Sequence, residues 1–325
     1  MNRREFVAGL IGYGAASPSI LCAQQSTMPV VALIHSSTFA EFDHMIGAFH
    51  KGLAEAGFIP GRNVIVEHHS GEGQPEGLDR LISNLTNRPV NLIVANGVAA
   101  LAAKAATTTI PIVFASGFDP VRDGLVESFA RPGGNVTGVV FLTSATGAKR
   151  LDLLRQLVPK ASTIAVLVNI AGSSTATELK DIQTAAQASG QHLVIHTVNN
   201  ERDIDVAFND FKKTGAEALL VGAGAVLNSN RKGIVNLAAR HALPAMYSLR
   251  EFATDGGLSS YGASTTDAYS QAGIYAGRIL NGEKPSEMAV IQSTKVEFVV
   301  NLRVARALDF EVSPLLLARA DEVIE

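Results

Sequence analysis

Residues 30–57 read VVALIHSSTFAEFDHMIGAFHKGLAEAG, and they set the architecture. The run Val30–His35 is short, nearly continuous in apolar residues and rich in Val and Ile, as expected of a strand covered on both faces. It stops at Ser36-Ser37. Thr38-x-x-Glu41 then has the spacing of a capping box, whose two side chains reciprocally satisfy free amides at a helix start. Phe42, Ile46, Phe49 and Leu53 recur at helical spacing as one apolar stripe, and Gly57 supplies the left-handed residue that closes the helix. A buried strand followed at once by an amphipathic helix is the repeating unit of a parallel sheet.

The same unit recurs along the chain. Further strands are predicted at Asn63–His68, Asn91–Ala95, Ile112–Ala115, Thr163–Val168, His192–Thr197, Ala218–Val221 and Ala245–Tyr247. Between them, Thr175-x-x-Glu178 opens a helix that Gly190 closes. Leu151, Leu154 and Val158 mark another that Pro159 stops. The alternation predicts the α/β class, with doubly wound parallel sheets and right-handed crossovers. At 325 residues and 47% hydrophobic, the chain suits two lobes better than one core. A formal net charge of -3, without clustered Lys and Arg, excludes a nucleic-acid surface.

Turn-rich breaks suggest where the chain passes between lobes. Arg131-Pro132-Gly133-Gly134-Asn135 precedes Val136–Leu142 and reads as a first passage. Asp255-Gly256-Gly257 precedes a strand at Leu258–Tyr261 and reads as a second. A helix over about 267–280 ends at Asn281-Gly282, after which a third passage leads to Lys295–Asn301. The expected lobes are therefore discontinuous: residues 29–136 with 259–283, and residues 137–258 with 284–325.

The N-terminus reads as an export signal over residues 1–23. Arg3 and Arg4 precede an apolar, small-residue run from Phe6 to Ile20, too short and too rich in glycine to span a bilayer. Arg3-Arg4-Glu5-Phe6 also matches the R-R-x-F core of a twin-arginine signal. The single cysteine, Cys22, follows Leu21 where a lipoprotein signal places a small residue, so lipid anchoring is not expected. Cleavage before Gln24 leaves a periplasmic chain with no thiol for disulfides or catalysis.

Ligands of open α/β sheets bind beyond the carboxyl ends of the strands. Here those ends read His35-Ser36-Ser37-Thr38, Asn96-Gly97-Val98, Ser116-Gly117-Phe118-Asp119, Asn169-Ile170-Ala171-Gly172-Ser173-Ser174, Gly222-Ala223-Gly224 and Tyr247-Ser248-Leu249-Arg250. Several run straight into helices, where free amides and hydroxyls suit a carboxylate or another polar group. Asp119 and Arg250 could add charge and Tyr247 an aromatic face; each Ser or Asn is also a good helix cap. Enzyme signatures are missing. Gly222-Ala223-Gly224-Ala225-Val226-Leu227 lacks the third glycine of a dinucleotide loop, and there is no phosphate loop or nucleophile elbow. His68 and His69 are neighbours on a strand and point to opposite faces, which disfavours a shared metal. No cofactor is expected.

Several stretches resemble a known family. They include Gly52-Leu53-Ala54-Glu55-Ala56-Gly57 with Gly61-Arg62-Asn63-Val64, Asp119-Pro120-Val121 with Gly124-Leu125-Val126, and Arg131-Pro132-Gly133-Gly134-Asn135-Val136-Thr137-Gly138. Arg250-Glu251-Phe252, Ser260-Tyr261-Gly262 and Leu317-Ala318-Arg319-Ala320-Asp321-Glu322 extend the likeness to the end of the chain. From about residue 29 to 325 the chain resembles ABC transporter substrate-binding proteins related to tryptophan/tyrosine uptake receptors. The resemblance implies a type I periplasmic-binding-protein fold with three crossovers and a monomer. It further implies a small-molecule ligand, an amino acid or an aromatic acid, held in the cleft and delivered to an inner-membrane ABC permease. By position, the implied pocket is Ser36, Ser37, Asn96, Gly97, Ser116, Asp119, Asn169, Ser173, Ser174, Gly222, Tyr247 and Tyr261, with Arg250 beside it. The alternatives on the same fold are a sensor partner of a membrane signalling protein and, less in keeping with the motifs, an enzyme.

Overall fold

The structure, a computed structural model, describes residues 28–35, 39–71, 75–141, 143–170 and 174–325. The expected export segment with Cys22, and the candidate residues Ser36, Ser37 and Ser173, lie outside the described residues.

The first run of βα units is β1 (Val30–His35), α1 (Phe39–Glu55), β2 (Ile65–Ser70), α2 (Pro75–Thr86), β3 (Leu92–Asn96), α3 (Gly97–Ala106), β4 (Ile112–Ser116) and β5 (Val136–Val140). The second is α4 (Gly147–Leu157), β6 (Thr163–Asn169), α5 (Thr175–Ala188), β7 (His192–Val198), α6 (Glu201–Lys213), β8 (Ala218–Val221), α7 (Ala225–Ser229), α8 (Arg231–Arg240), β9 (Ala245–Tyr247), α9 (Arg250–Thr254) and β10 (Ser259–Ala263). The chain ends with α10 (Thr265–Leu280), β11 (Ile291–Gln292), β12 (Val296–Asn301), α11 (Leu302–Ala307), α12 (Pro314–Leu317) and β13 (Glu322–Ile324).

These strands build two sheets, ordered β11-β5-β4-β3-β1-β2 and β13-β12-β10-β9-β8-β6-β7. Every pairing is parallel except β10 with β12. Strand alternation sorts each core into two layers. Val31 and Leu33 face α1 and α10, whereas Ala32 and Ile34 face α2 and α3. Ile164 and Val166 join one layer of the second sheet, and Ala165 and Leu167 the other.

Three passages join the sheets, but not where the glycine-rich breaks suggested. The Gly133-Gly134 turn, with both φ positive, leads into β5, which pairs with β4 in the first sheet. Asp255-Gly256-Gly257 closes α9 and leads into β10, which belongs to the second sheet. Residues 284–292 return to the first sheet, because β11 pairs with β5. The expected boundaries at 136, 258 and 283 therefore move to strand ends: after Val140, at Ala263–Ser264, and at Ser293–Lys295. These passages lie side by side. The Ser293 amide donates to the Val140 carbonyl at 2.8 Å, and the Ser264 amide to the Lys295 carbonyl at 2.9 Å. Glycine was a misleading marker because it serves helix ends and turns within either lobe equally well.

The α1–α10 contact closes the first lobe after the excursion into the second. It is made backbone to backbone. A Cβ on Gly273 would lie 2.2 Å from the Phe49 carbonyl oxygen, and one on Gly52 only 1.7 Å from the Ser270 carbonyl oxygen. At the outer edge of the same lobe, His50 of α1 meets His68 of β2 with ring centroids 5.3 Å apart. Burial pushes both imidazoles below their ordinary value of 6.5, and for His68 the charges of His50 and His69 add to the effect, opposed by Asp43.

Two outcomes follow for stability. Gly273→Ala should destabilise by about 1–3 kcal/mol, because overpacking outweighs the roughly 1 kcal/mol that alanine gains in helix propensity. Gly47→Ala, on the exposed side of α1 with nothing within 4 Å of the added carbon, should instead stabilise by up to about 1 kcal/mol. Urea unfolding of the two variants measures both. Between the depressed folded values and 6.5 the unfolded chain binds more protons, so stability is complete above that window and is lost as pH falls through it. Unfolding curves at pH 7.5 and 5.5, for wild type and His50→Gln, should show the acid loss shrinking in the variant.

Candidate functional site

The carboxyl ends of β3 and β4 are adjacent, with Asn96 opposite Ala115. Asn96 caps α3, its Oδ1 accepting from the Ala99 amide at 3.3 Å. Gly97 begins that helix without a side chain for a visible reason. A Cβ there would lie 2.0 Å from the Phe118 ring and 2.8 Å from Ser116 Oγ. Ser116 is buried, and its hydroxyl oxygen accepts from the Phe118 amide at 3.1 Å. Gly117 similarly gives room to the Phe141 ring, 3.1 Å from where its Cβ would be. The half-exposed rings of Phe118 and Phe141 thus rise from small residues at this strand end. Asp119 turns back on its own loop, with Oδ1 accepting from the amides of Val121 at 3.0 Å and Arg122 at 3.2 Å. At the neighbouring end of β1, His35 is fully buried and stacks on Phe42 at 4.2 Å.

In the second sheet, β6 ends at Asn169, which is buried and donates from Nδ2 to the Val198 carbonyl at 3.0 Å. Its own carbonyl accepts from Thr175 Oγ1 at 2.6 Å, and Gly224 packs on its side chain. Ser174 stands before α5, and its carbonyl accepts from the Glu178 amide at 3.0 Å. Gly222 extends β8, donating to the Leu167 carbonyl at 2.9 Å. Beneath this turn, Arg150 of α4 and Glu178 of α5 form an ion pair that is 0% and 1% exposed. Glu178 also accepts from the Ala223 amide, 3.2 Å from each carboxylate oxygen. Burial pushes the Glu178 carboxyl up, against the pull of Arg150 and of that amide. Arginine does not give up its proton in proteins, so a fixed positive charge faces the Glu178 carboxyl.

Two of the expected residues are engaged elsewhere. Tyr247 is 1% exposed, stacks on Phe252 at 4.8 Å, and presses on Gly257. Burial pushes its hydroxyl well above the ordinary range. Its ring lines an apolar cavity of about 230 Å³ between α8 and α11, with Val235, Leu243, Leu258 and Val304. Leu258 and Ala245 place that cavity at the amino ends of β9 and β10, opposite the strand ends described above. Arg250 pairs with Glu322 of β13 and lies 3.8 Å from Glu297 of β12. Tyr261, half-exposed on β10, meets Phe298 edge-on and gives its carbonyl to Arg150 at 3.4 Å.

The two lobes meet at a seam where α9, which follows β9, reaches α1 and α10. Glu251, in the first turn of α9, accepts on Oε1 from His44 Nε2 of α1 at 2.9 Å and from Thr265 Oγ1 of α10 at 2.8 Å. A second-lobe carboxylate is thereby held by two first-lobe helices. Burial pushes this carboxyl up, but the bonds from His44, its own amide and Thr265 bring it below the usual range. Reading the loops for small polar residues missed Phe118, Phe141, Glu251 and the Arg150–Glu178 pair. Phe118 could have been found within the strand-end stretch itself. Among the described residues no three His, Cys, Asp or Glu side chains gather as a metal-ligating group.

Comparison with known proteins bears on this arrangement. The profile of the ABC transporter substrate binding protein family matches residues 18–324. A tyrosine-binding protein of Clostridioides difficile is 25% identical over 264 residues, which are 81% of this chain and 76% of that protein. A Streptococcus pneumoniae ABC domain solved in complex with L-Trp superposes with a TM-score of 0.77 at 22% identity, covering 90% of this chain and all of the other. A ligand-free, open substrate-binding protein with adhesive properties from Clostridium difficile gives 0.69 at 23% identity, covering 91% and 99%. The architecture is the two-lobed fold of type I periplasmic binding proteins.

The two amides held by Asp119 make its role testable. Asp119→Ala should lower stability by about 0.5–2 kcal/mol, as the loss of a cap does. It should leave small-molecule affinity within about threefold of wild type. Denaturant unfolding beside a ligand titration separates the two effects, and a large affinity loss at unchanged stability would place Asp119 on the ligand instead.

Proposed function

Because the chain belongs to the ABC transporter substrate binding protein family, we propose that it captures a small molecule between its lobes and presents it to a membrane permease. The observation that carries this reading is the seam itself. Glu251 bridges it to His44 and Thr265, and three passages run side by side across it; on this reading the small polar strand ends of both sheets open onto it. The first lobe contributes Gly97, Ser116 and the rings of Phe118 and Phe141. The second contributes Ser174, the Gly222–Ala223 turn and Tyr261. Amides at the start of α3 suit a carboxylate, since the amino end of a helix carries partial positive charge. The aromatic rings suit an apolar or aromatic body. Together they favour an amino acid with an aromatic or apolar side chain, in keeping with the tyrosine and L-Trp named for the relatives.

On this reading the protein acts outside the cytoplasm and releases its ligand chemically unchanged. Among the described residues no helix is long and apolar enough to cross a membrane. The Ser116 hydroxyl is engaged in its own turn, and neither it nor Ser174, the described serines of the site, is paired with a histidine base. Closure needs no chemistry. A ligand that touches both lobes favours the closed arrangement by its differential affinity for it.

A thermal-shift screen of the mature chain against the twenty amino acids and simple aromatic acids tests the reading. A true ligand at about one hundred times its Kd should add roughly 2.7 kcal/mol of stability and raise Tm accordingly. Phe118→Ala should weaken that ligand about tenfold or more, the scale of a lost aromatic contact together with its buried area. Small-angle scattering should show a smaller radius of gyration with ligand. No shift with any amino acid, and identical dimensions with and without saturating ligand, would defeat the proposal.

A further inference from the structure

We propose that the Arg150–Glu178 pair is a positioning device for the ligand site, locking the Gly222–Ala223 turn to the two neighbouring lobe passages. The inference rests on the reading of the strand ends as the ligand site. Its geometry is specific. Glu178 receives Arg150 and the Ala223 amide together. Arg150 Nη1 donates to Thr146 Oγ1 at 2.6 Å and reaches the Tyr261 carbonyl at 3.4 Å. Thr146 ends the short 3₁₀ turn Thr143–Thr146, immediately after the first passage, and Tyr261 lies two residues before the second at Ala263. One buried guanidinium therefore grips the second-lobe end of two passages, and its carboxylate partner holds a turn that faces the ligand.

Packing alone does not require this arrangement. Buried ion pairs are commonly matched or bettered in stability by apolar residues of similar volume. What an apolar pair cannot do is fix the direction of particular main-chain groups, as charge-assisted hydrogen bonds do. The Glu178 side chain is closely packed. At Gly147, the first residue of α4, a Cβ would lie 3.0 Å from Glu178 Cγ and 3.1 Å from Ile182, and at Gly222 one would meet Val168 at 3.0 Å with Glu178 Oε2 in contact at 3.4 Å. Arg150 and Glu178 are thus positioning residues. They reach the ligand only through Gly222, Ala223 and Tyr261.

The decisive variant replaces both partners, Arg150→Met with Glu178→Leu, so that no unpaired charge is left buried. Amide exchange at Ala223, measured without any ligand, should accelerate strongly, while Tm stays near that of wild type. Titrated with L-tyrosine and L-tryptophan, the double variant should bind about tenfold or more weakly, as expected when a preorganised site loses its support. Unchanged affinity together with an unchanged Ala223 exchange rate would overturn the proposal. Should wild type bind neither amino acid, the ligand reading is what has failed, and Ala223 exchange alone decides this inference. Should the double variant not fold, Glu178→Gln decides it. That change puts an amide nitrogen where Arg150 or Ala223 needs an acceptor, so faster Ala223 exchange is expected and wild-type behaviour would refute the role.

Discussion

Helices α1 and α10 meet backbone against backbone, and the rest of the molecule is arranged around that contact. Gly52 and Gly273 leave no room between the helices for even a methyl group. In sequence they lie on either side of the excursion that builds the second lobe. The first sheet therefore completes its helical cover only after the chain has left, formed β6 to β10, and returned. Tyr269, Ala272 and Ala276 of α10 then share a core with Val31 and Leu33 of β1. Because β10 ends at Ala263 and α10 starts at Thr265, the return passage is almost without slack. Relative motion of the lobes has to be absorbed by the dihedrals of a few strand-end residues, which is the geometry of a hinge.

Much of this was legible in the sequence. Strands of a parallel sheet are apolar on both faces, so Val30–His35 and Thr163–Val168 announced themselves as continuous runs, and the helices between them carried a clear stripe. Lobe membership was a different problem. Val136–Val140 and Ser259–Ala263 are both short, apolar or small strands after a glycine turn, yet they belong to different sheets. Nothing local distinguishes them, because membership depends on which strand lies alongside. The glycines of Arg131–Asn135 and Asp255–Gly257 answer to local φ requirements and not to topology.

The site divides along the same line. Asn96 and Asn169 stood out by residue type, and the structure engages each in bonds that hold its own strand end together. Tyr247 and Arg250 were chosen for their chemistry, but Tyr247 packs on its near neighbours Phe252 and Gly257, and Arg250 pairs with Glu322 far along the chain. Conversely, Glu178 read as the acid of a helix-start motif, but the structure pairs it with Arg150, which the sequence did not single out. Only tertiary packing buries them, and a buried charge has no sequence signature when its counter-charge comes from another helix.

On the proposed function, the two lobes bring different chemistry to the ligand. At the first, glycine and serine make room for aromatic rings, which supply area and little direction. At the second, main-chain groups at Gly222–Ala223 and Tyr261 are held by a buried ion pair, which supplies direction and little area. Nearby cations of the second lobe are already matched, Arg150 by Glu178 and Arg250 by Glu322. A small molecule touching only one lobe would find either an apolar wall or a polar edge. Touching both, it gains the two together, and that gain exists only when the lobes approach. Since a ligand shifts a conformational equilibrium only by its differential affinity, this division of labour is what would couple recognition to closure under the proposed function.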